Sequence, residues 1–432
     1  MINVGLLGCG TVGSGVVKLL DQNQEIITKR TGDTIRLKSV LEKDIEKCLA
    51  LGLNEEMVVA DFSKIVDDKE IDIVVELIGG IEPAFNYIKE AMKKGKHVVT
   101  ANKDLIAVKG EELFKTAKEN NVDFYFEASV AGGIPIIFPL KQSLAGNKIK
   151  EVIGILNGTT NYILTKMTKQ GCNFDETLIE AQELGYAEAD PSSDVCGLDA
   201  ARKIAILASI AFNNRVTLDK VYVEGITSIT AADIKYAGEL GYVIKLLAIT
   251  KEDEEGQIQA RVHPAFLPKN HPLANVNDVF NAVFVKGDAV GEIMHYGRGA
   301  GQMPTASAVV GDLVEVSSNI IQNINARIGC TCFDEKPVLS INDLEVEFYI
   351  RMNVIDRPGV LAGIAGVFGN NSVSIATVLQ KTSKQGKAEL ILITHKVMEQ
   401  NLRNALSLLD GMSIVHEINN VIRLEGIDRD LD

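Results

Sequence analysis

Residues 2–20 read INVGLLGCGTVGSGVVKLL. The first six residues, Ile2 to Leu7, form an apolar run of strand length. GCGTVG follows at once, and Val12 to Leu20 repeat apolar residues at helical spacing. Strand, glycine turn and helix, in that order, is the setting in which G-x-G-x-x-G cradles a dinucleotide. Gly8 permits the tight turn, Gly10 lets backbone approach a pyrophosphate, and Gly13 allows the helix to lie close to the strand. The helix N-terminus adds free amides and a partial positive charge.

Outward from this unit, strands are expected at 35–41, 71–77, 96–100 and 122–127, with helices at 84–94 and 110–119 between them. Such alternation predicts a Rossmann-type, doubly wound parallel sheet. The second strand ends in Leu41-Glu42-Lys43-Asp44. An acidic residue there holds a free ribose hydroxyl, and a basic one accepts a 2′-phosphate. Glu42 and Lys43 stand side by side, so the choice between NAD and NADP stays open.

The pattern changes after Gly132. A strand is expected at 148–157, helices at about 159–170, 175–184 and 197–212, and strands at 221–226, 243–250 and 257–263. These make an α+β middle domain. A long helix at 305–323 is expected to return to the first domain, and 324–345 lack periodicity and read as a linker. Residues 346–425 follow βαββαβ order, the ferredoxin-like arrangement. The expected domains are therefore 1–130, 131–304 and 346–426, the last separable from the catalytic body by deletion after about residue 340.

Composition narrows the function classes. The chain has 432 residues and a net charge of −14, a poor match for nucleic acid or anionic lipid. It has no Trp and only 5% aromatics, which disfavours base-stacking platforms. No apolar run is long enough to span a membrane, and the N-terminus lacks a signal peptide's basic start. The six cysteines are scattered. Only Cys330 and Cys332 are close, with no His at zinc spacing, so reduced thiols in a cytoplasm are expected.

Two segments carry chemistry. Thr100-Ala101-Asn102-Lys103 ends a strand at the sheet's carboxyl edge, where open α/β sheets bind ligands. Lys103 there is either a surface lysine or a group beside nicotinamide and substrate. Residues 185–203 read GYAEADPSSDVCGLDAARK and place Glu188, Asp190, Asp194 and Asp199 close together. The helix that follows is apolar nearly all round, so it should be buried. Asp199 and Lys203 share one face of it, as a routine ion pair or as a charged proton donor with its partner. An ammonium suits hydride addition to a carbonyl, because it stabilises and then protonates the alkoxide. Glu188 could grip a substrate ammonium. His263-Pro264 and His271-Pro272 read as structural residues of a loop-like stretch.

At these residues the chain resembles homoserine dehydrogenase over essentially its whole length. The motifs that carry the resemblance are GLLGCGTVGSGV, TANKDLIA, EASVAGGIPI, ILNGTTNYIL, AQELGYAEADPSSDVCGLDAARK, EGIT and GRGAGQMPTASAVVGDL. It implies NAD(P)-dependent interconversion of L-homoserine and L-aspartate 4-semialdehyde, a step toward threonine and methionine. NADP is the expected cofactor, with NAD the alternative. By position, Lys203 resembles the family's proton-transferring lysine, and Lys103 the second active-site lysine, in contact with cofactor and substrate. Glu188, Asp194, Asp199 and Thr159 fall to the substrate. Gly8, Gly10, Thr11, Val12 and Gly13, with Lys43 and Gly301, fall to the cofactor. Glu127, Val130, Gly132 and Ile134 match a monovalent-cation site, in which backbone carbonyls would hold sodium.

The C-terminal domain resembles an ACT domain. Asp356, Pro358, Gly359 and Val360 match its strand-to-helix loop, which in that family often binds an amino acid. Threonine, an end product, is the expected effector, and assembly alone is the other use. A homo-oligomer, dimer or tetramer, is expected. Two rival readings remain. A semialdehyde dehydrogenase would need a cysteine nucleophile, for which only Cys196 is near the carboxylates. A non-enzymatic amino-acid sensor would not need Lys103, Glu188 and Lys203 together.

Overall fold

Strand β1 (Ile2–Leu7) lies at the centre of a six-stranded parallel sheet with β2 (Ile35–Leu41), β3 (Val58–Val59), β4 (Ile73–Glu76), β5 (His97–Thr100) and β6 (Phe124–Tyr125), in the order β3-β2-β1-β4-β5-β6. This is the dinucleotide-binding strand order. In the computed structural model, residues 1–327, 329–382 and 386–426 are described, so residue 328 of the expected linker lies outside them. The described chain forms two compact units, one of residues 1–156, 202–220 and 280–336, the other of 157–201, 221–279 and 337 onward.

In the first unit, Val4, Leu6, Val16 and Val75 are buried together with Val309, Leu313 and Val316 of the helix Gln302–Ile321. That helix lies against the first helix, Thr11–Gln22, at a position where no side chain fits. A Cβ on Gly15 would stand 2.6 Å from the Gln302 carbonyl. The same unit holds an antiparallel array of Ile149–Ile155, Phe280–Gly287 and Gly291–Arg298.

In the second unit, Tyr242–Glu252 and Ile258–Pro268 pair antiparallel along their whole length. Strands Glu345–Ile355, Ile375–Thr382, Lys387–Thr394 and Val415–Leu424, with helices Val360–Asn370 and Glu399–Asp410, complete the βαββαβ pattern. Their apolar faces meet in a separate core around Phe348, Ile350, Ile364, Phe368 and Leu402.

Several elements differ from the sequence reading. The hairpin Phe280–Arg298 was not expected. Of 221–226 only Tyr222–Val223 is strand, and the strand expected at 257–263 runs on to Pro268. His263 and Pro264 therefore sit inside a strand, not a loop. His263 is fully buried, and burial, with Arg423 nearby, pushes its pKa down to about 3, so it is neutral. His271 caps a short turn, its Nδ1 accepting the Leu273 amide at 3.1 Å.

The ferredoxin-like domain is not hung on a tether. Val415–Leu424 pairs in parallel with Ile258–Pro268 at Ala265–Arg423 and Phe266–Leu424. Buried Arg261 donates to Glu425 at 2.8 Å. Asp233, on the helix Ala231–Glu239, is completely buried. It accepts from Arg351 Nε at 2.8 Å, Asn420 Nδ2 at 2.9 Å and Thr230 Oγ1 at 2.7 Å. Burial raises the Asp233 pKa, but these donors outweigh it and hold the carboxyl below its usual range. Deletion after residue 340 would strand Asp233 and Arg261 without their partners, contrary to the expected separability.

Removing one partner of a buried pair costs more than removing both. Asp233→Ala should destabilise the chain by about 3 kcal/mol. The double variant Asp233→Ala, Arg351→Met should recover part of that loss in thermal unfolding.

Candidate active site

The glycine turn separates into three physical roles. Gly8 has φ +93, and a Cβ there would meet the Leu77 carbonyl at 2.9 Å. A Cβ on Gly13 would stand 2.1 Å from the Gly8 carbonyl, so helix and turn close only around a hydrogen. Gly10, the N-cap of the helix, has φ −72 and nothing within 4 Å of its would-be Cβ. Its bareness serves nothing inside the protein, and it leaves room for a ligand at the first amides, those of Thr11 and Val12.

Glu42 closes the far side of the turn. Its Oε2 accepts the Cys9 amide at 2.8 Å, and its Oε1 accepts the amides of Lys43 at 2.8 Å and Asp44 at 3.2 Å. Burial raises this carboxyl, but the three amides more than offset it and hold it below the usual range. Most of its acceptor capacity is thus spent on backbone, while Lys43 is exposed.

At the carboxyl edge of β4 and β5, Glu76 is fully buried. It accepts from Thr100 Oγ1 at 2.6 Å and from the amides of Ile78 and Gly79. Asn102 donates to the Gly80 carbonyl at 2.6 Å and caps the helix Lys103–Glu119 through the Leu105 amide. Lys103 opens this helix, partly exposed at the edge where a ligand is expected. Arg202 Nε binds Asp104 at 2.7 Å, tying this helix to the one that carries Lys203.

Lys203 lies on the helix Leu198–Ala211 and is 9% exposed, amid buried Ala200, Ile204 and Leu207. Its Nζ donates to the Leu156 carbonyl at 2.7 Å.

The carboxylates gather around a residue the sequence reading did not single out. Asn157 Nδ2 donates to Asp194 Oδ1 at 2.7 Å and to Asp199 Oδ2 at 2.9 Å. Its Oδ1 accepts the Thr160 amide and caps the helix Gly158–Gln170. Thr159 Oγ1 donates to the Tyr186 carbonyl at 2.5 Å, fixing the loop that leads to Glu188. Glu188 is exposed on that loop, and Asp190 is bonded locally to Ser192. Cys196, the rival nucleophile, is exposed at the end of the short helix Ser192–Val195.

The segment 127–134 has the features a hard monovalent cation needs. Ala131 and Gly132 both take left-handed backbone, φ +56 and +51, in a buried turn. Glu127 accepts the amides of Ile136, Ile137 and Phe138, so its side chain is committed to holding the turn. Beside it Asp312 is fully buried, and burial, then the Glu127 charge, pushes its carboxyl well up. The Lys141 charge acts on both carboxyls, against their burial. Gly301 opens the helix Gln302–Ile321 with φ +122. Among the described residues no cluster of three His, Cys, Asp or Glu side chains could hold a metal.

The glycines make a paired prediction. Gly13→Ala should cost about 2 kcal/mol or more of stability from the forced contact. Gly10→Ala should melt like the parent and bind NAD(P)H at least about tenfold more weakly, read by cofactor fluorescence titration.

Comparison with known proteins agrees with this geometry. The family model for the homoserine dehydrogenase NAD-binding domain matches residues 8–127, that for homoserine dehydrogenase matches 135–314, and that for the ACT domain matches 348–411. Homoserine dehydrogenase of Synechocystis sp. is 48% identical, covering 98% of this chain and 99% of that one. The enzyme of Bacillus subtilis is 45% identical, covering 98% of each. A crystal structure of a homoserine dehydrogenase from Thiobacillus denitrificans superposes with a TM-score of 0.93 at 44% identity, covering 98% of each chain. With a dinucleotide-binding sheet, a buried lysine and a carboxylate cluster in one chain, and relatives matched end to end, this chain belongs to the homoserine dehydrogenase family.

Proposed function

We propose that the chain reduces L-aspartate 4-semialdehyde to L-homoserine with NADPH as preferred cofactor, and that threonine restrains it through the ACT domain. The observation that carries the catalytic reading is Lys203, an ammonium kept in an apolar helix by a backbone carbonyl.

A bound nicotinamide supplies the hydride. Lys203 holds a proton at Nζ for the alkoxide that forms when the aldehyde carbon is reduced, and its charge stabilises that oxygen beforehand. Lys103 adds a second positive group for cofactor and substrate. Glu188 takes the substrate ammonium. Asp194 and Asp199, held by Asn157, and Thr159 shape the same recognition surface. Gly8, Gly10, Thr11, Val12, Gly13 and Gly301 receive the cofactor, and exposed Lys43 favours a 2′-phosphate while Glu42 is occupied by amides. Val130, Gly132 and Ile134, with the main chain of Glu127, would hold sodium, which offsets the Glu127–Asp312 charge and stiffens the turn. The enzyme works as a homo-oligomer, dimer or tetramer, in a reducing cytoplasm. All six cysteines are free, and no described helix is long and apolar enough to cross a membrane.

In the ACT domain, Gly359 has φ +90, caps the helix Val360–Asn370 and has open space where a side chain would stand. Asp356 and Pro358 are exposed beside it, and Val360 is buried beneath. Helix amides next to open space suit an amino acid's carboxylate. An effector bound there restrains turnover only if it binds the less active state better.

Absorbance at the reduced-nicotinamide band tests the proposal. NADPH should be consumed with aspartate semialdehyde, and NADH more slowly. No consumption of either cofactor would overturn the reading. Glu188→Gln should raise the substrate KM by roughly 10- to 100-fold, the worth of one charge-assisted contact. Gly359→Asp should lose threonine inhibition while keeping the uninhibited rate. Equal threonine inhibition in both proteins would remove the ACT loop from the mechanism.

A further inference from the structure

Outside the catalytic residues, one cluster of reactive groups has no part in the chemistry above. A small cavity of about 20 Å³ is lined by Phe114, Phe126, Lys141, Arg215, Cys330 and Cys332. Arg215 Nη2 donates to Cys330 Sγ at 3.5 Å, and the Cys332 amide approaches the same sulfur at 3.5 Å. The Cys332 thiol donates to the Ser209 carbonyl, 3.8 Å away. Lys141 lies over the rings of Phe114 and Phe126, 5.5 Å from each, and Arg215 over Phe114 at 5.8 Å. The Arg215 Nε is buried with no hydrogen-bond partner among the described residues.

We propose that Cys330 and Cys332 form a thiol–disulfide exchange site, with Cys330 the attacking thiolate and Cys332 the resolving thiol. Arg215 and the Cys332 amide both reach the Cys330 sulfur, and Lys141 lines the same cavity. The Cys332 thiol, the Cys332 amide, Arg215 and Lys141 together bring Cys330 down to about 5, against the opposing effect of burial. Burial and the neighbouring sulfur push Cys332 up, so it stays a thiol. Cys330 itself is exposed. The partner chemistry is a small disulfide. The Cys330 thiolate attacks one of its sulfurs, that S–S bond breaks and one thiolate leaves. Cys332 then loses its proton and attacks Cys330, expelling the second thiolate. Two electrons pass from the cysteine pair to the reagent, which leaves as two thiols.

The test is reaction of the full chain with an aromatic disulfide that releases a coloured thiolate, with peptide mapping by mass spectrometry. A low-pKa thiolate is a weaker nucleophile but is almost fully ionised, so at pH 5.5 Cys330 should react roughly 20-fold faster than an ordinary exposed thiol. Its rate should stay nearly flat from pH 6 to 8, while that of a simple alkyl thiol measured beside it climbs about tenfold per pH unit. The parent should release two coloured thiolates and end as the Cys330–Cys332 disulfide. Cys332→Ser should release one and keep the adduct on Cys330. Arg215→Gln should raise the pH at which the Cys330 rate levels off. First labelling at Cys172 or Cys196, or a Cys330 rate that climbs with pH like that of the simple alkyl thiol, would overturn the proposal.

Discussion

A lysine carried into an apolar helix needs polar partners at its Nζ, and the catalytic half of this protein is arranged around that demand. Lys203 meets it through the Leu156 carbonyl, the last residue before Asn157. Leu156 is placed by the strand Ile149–Ile155, and Asn157 caps the helix that follows. One junction between strand and helix therefore carries both the acceptor of the Lys203 Nζ and the amide that holds Asp194 and Asp199.

The cofactor end obeys a different constraint, close approach of backbone. The Gly13 position is set by the Gly8 carbonyl, and Gly15 by Gln302, so the first helix is pressed between its own turn and a helix from almost 300 residues later. Glu42 spends its carboxylate on Cys9 and on its own following amides. The turn is thus complete before any ligand arrives, which lowers the ordering cost of binding. A third device joins the ACT domain to the rest of its unit. Asp233, Arg351, Arg423 and Glu399 bury full charges where the ACT strands meet the helix and hairpin of the second unit. Such networks tolerate little rearrangement.

Much of this was legible in the sequence, and the parts that were not share a reason. The strand–glycine–helix unit, Lys103, the 185–203 run and the βαββαβ order are local patterns, and local patterns survive in one dimension. The hairpin at 280–298 escaped because its outer strand, Gly291–Arg298, is largely exposed on one face and carries Glu, His and Arg in place of a clear apolar run. Asn157 escaped because its partners are 37 and 42 residues away and an Asn before a helix already has a sufficient local role as a cap. Glu76 and Asn102 organise the sheet edge only through contacts that no spacing reveals. The loop reading of His263-Pro264 failed because a proline was taken as punctuation, whereas here it sits inside a long strand with the His beside it walled in by Arg261 and Glu425.

The central claim is that Lys203 delivers the proton. The most direct measurement is turnover of Lys203→Ala with aspartate semialdehyde, beside its affinity for NADPH, with and without an added small alkylamine. The account predicts turnover lower by a factor on the order of 100 or more, cofactor affinity nearly unchanged, and partial restoration by the amine. Near-normal turnover without the amine would contradict it and leave Lys203 a buried structural cation.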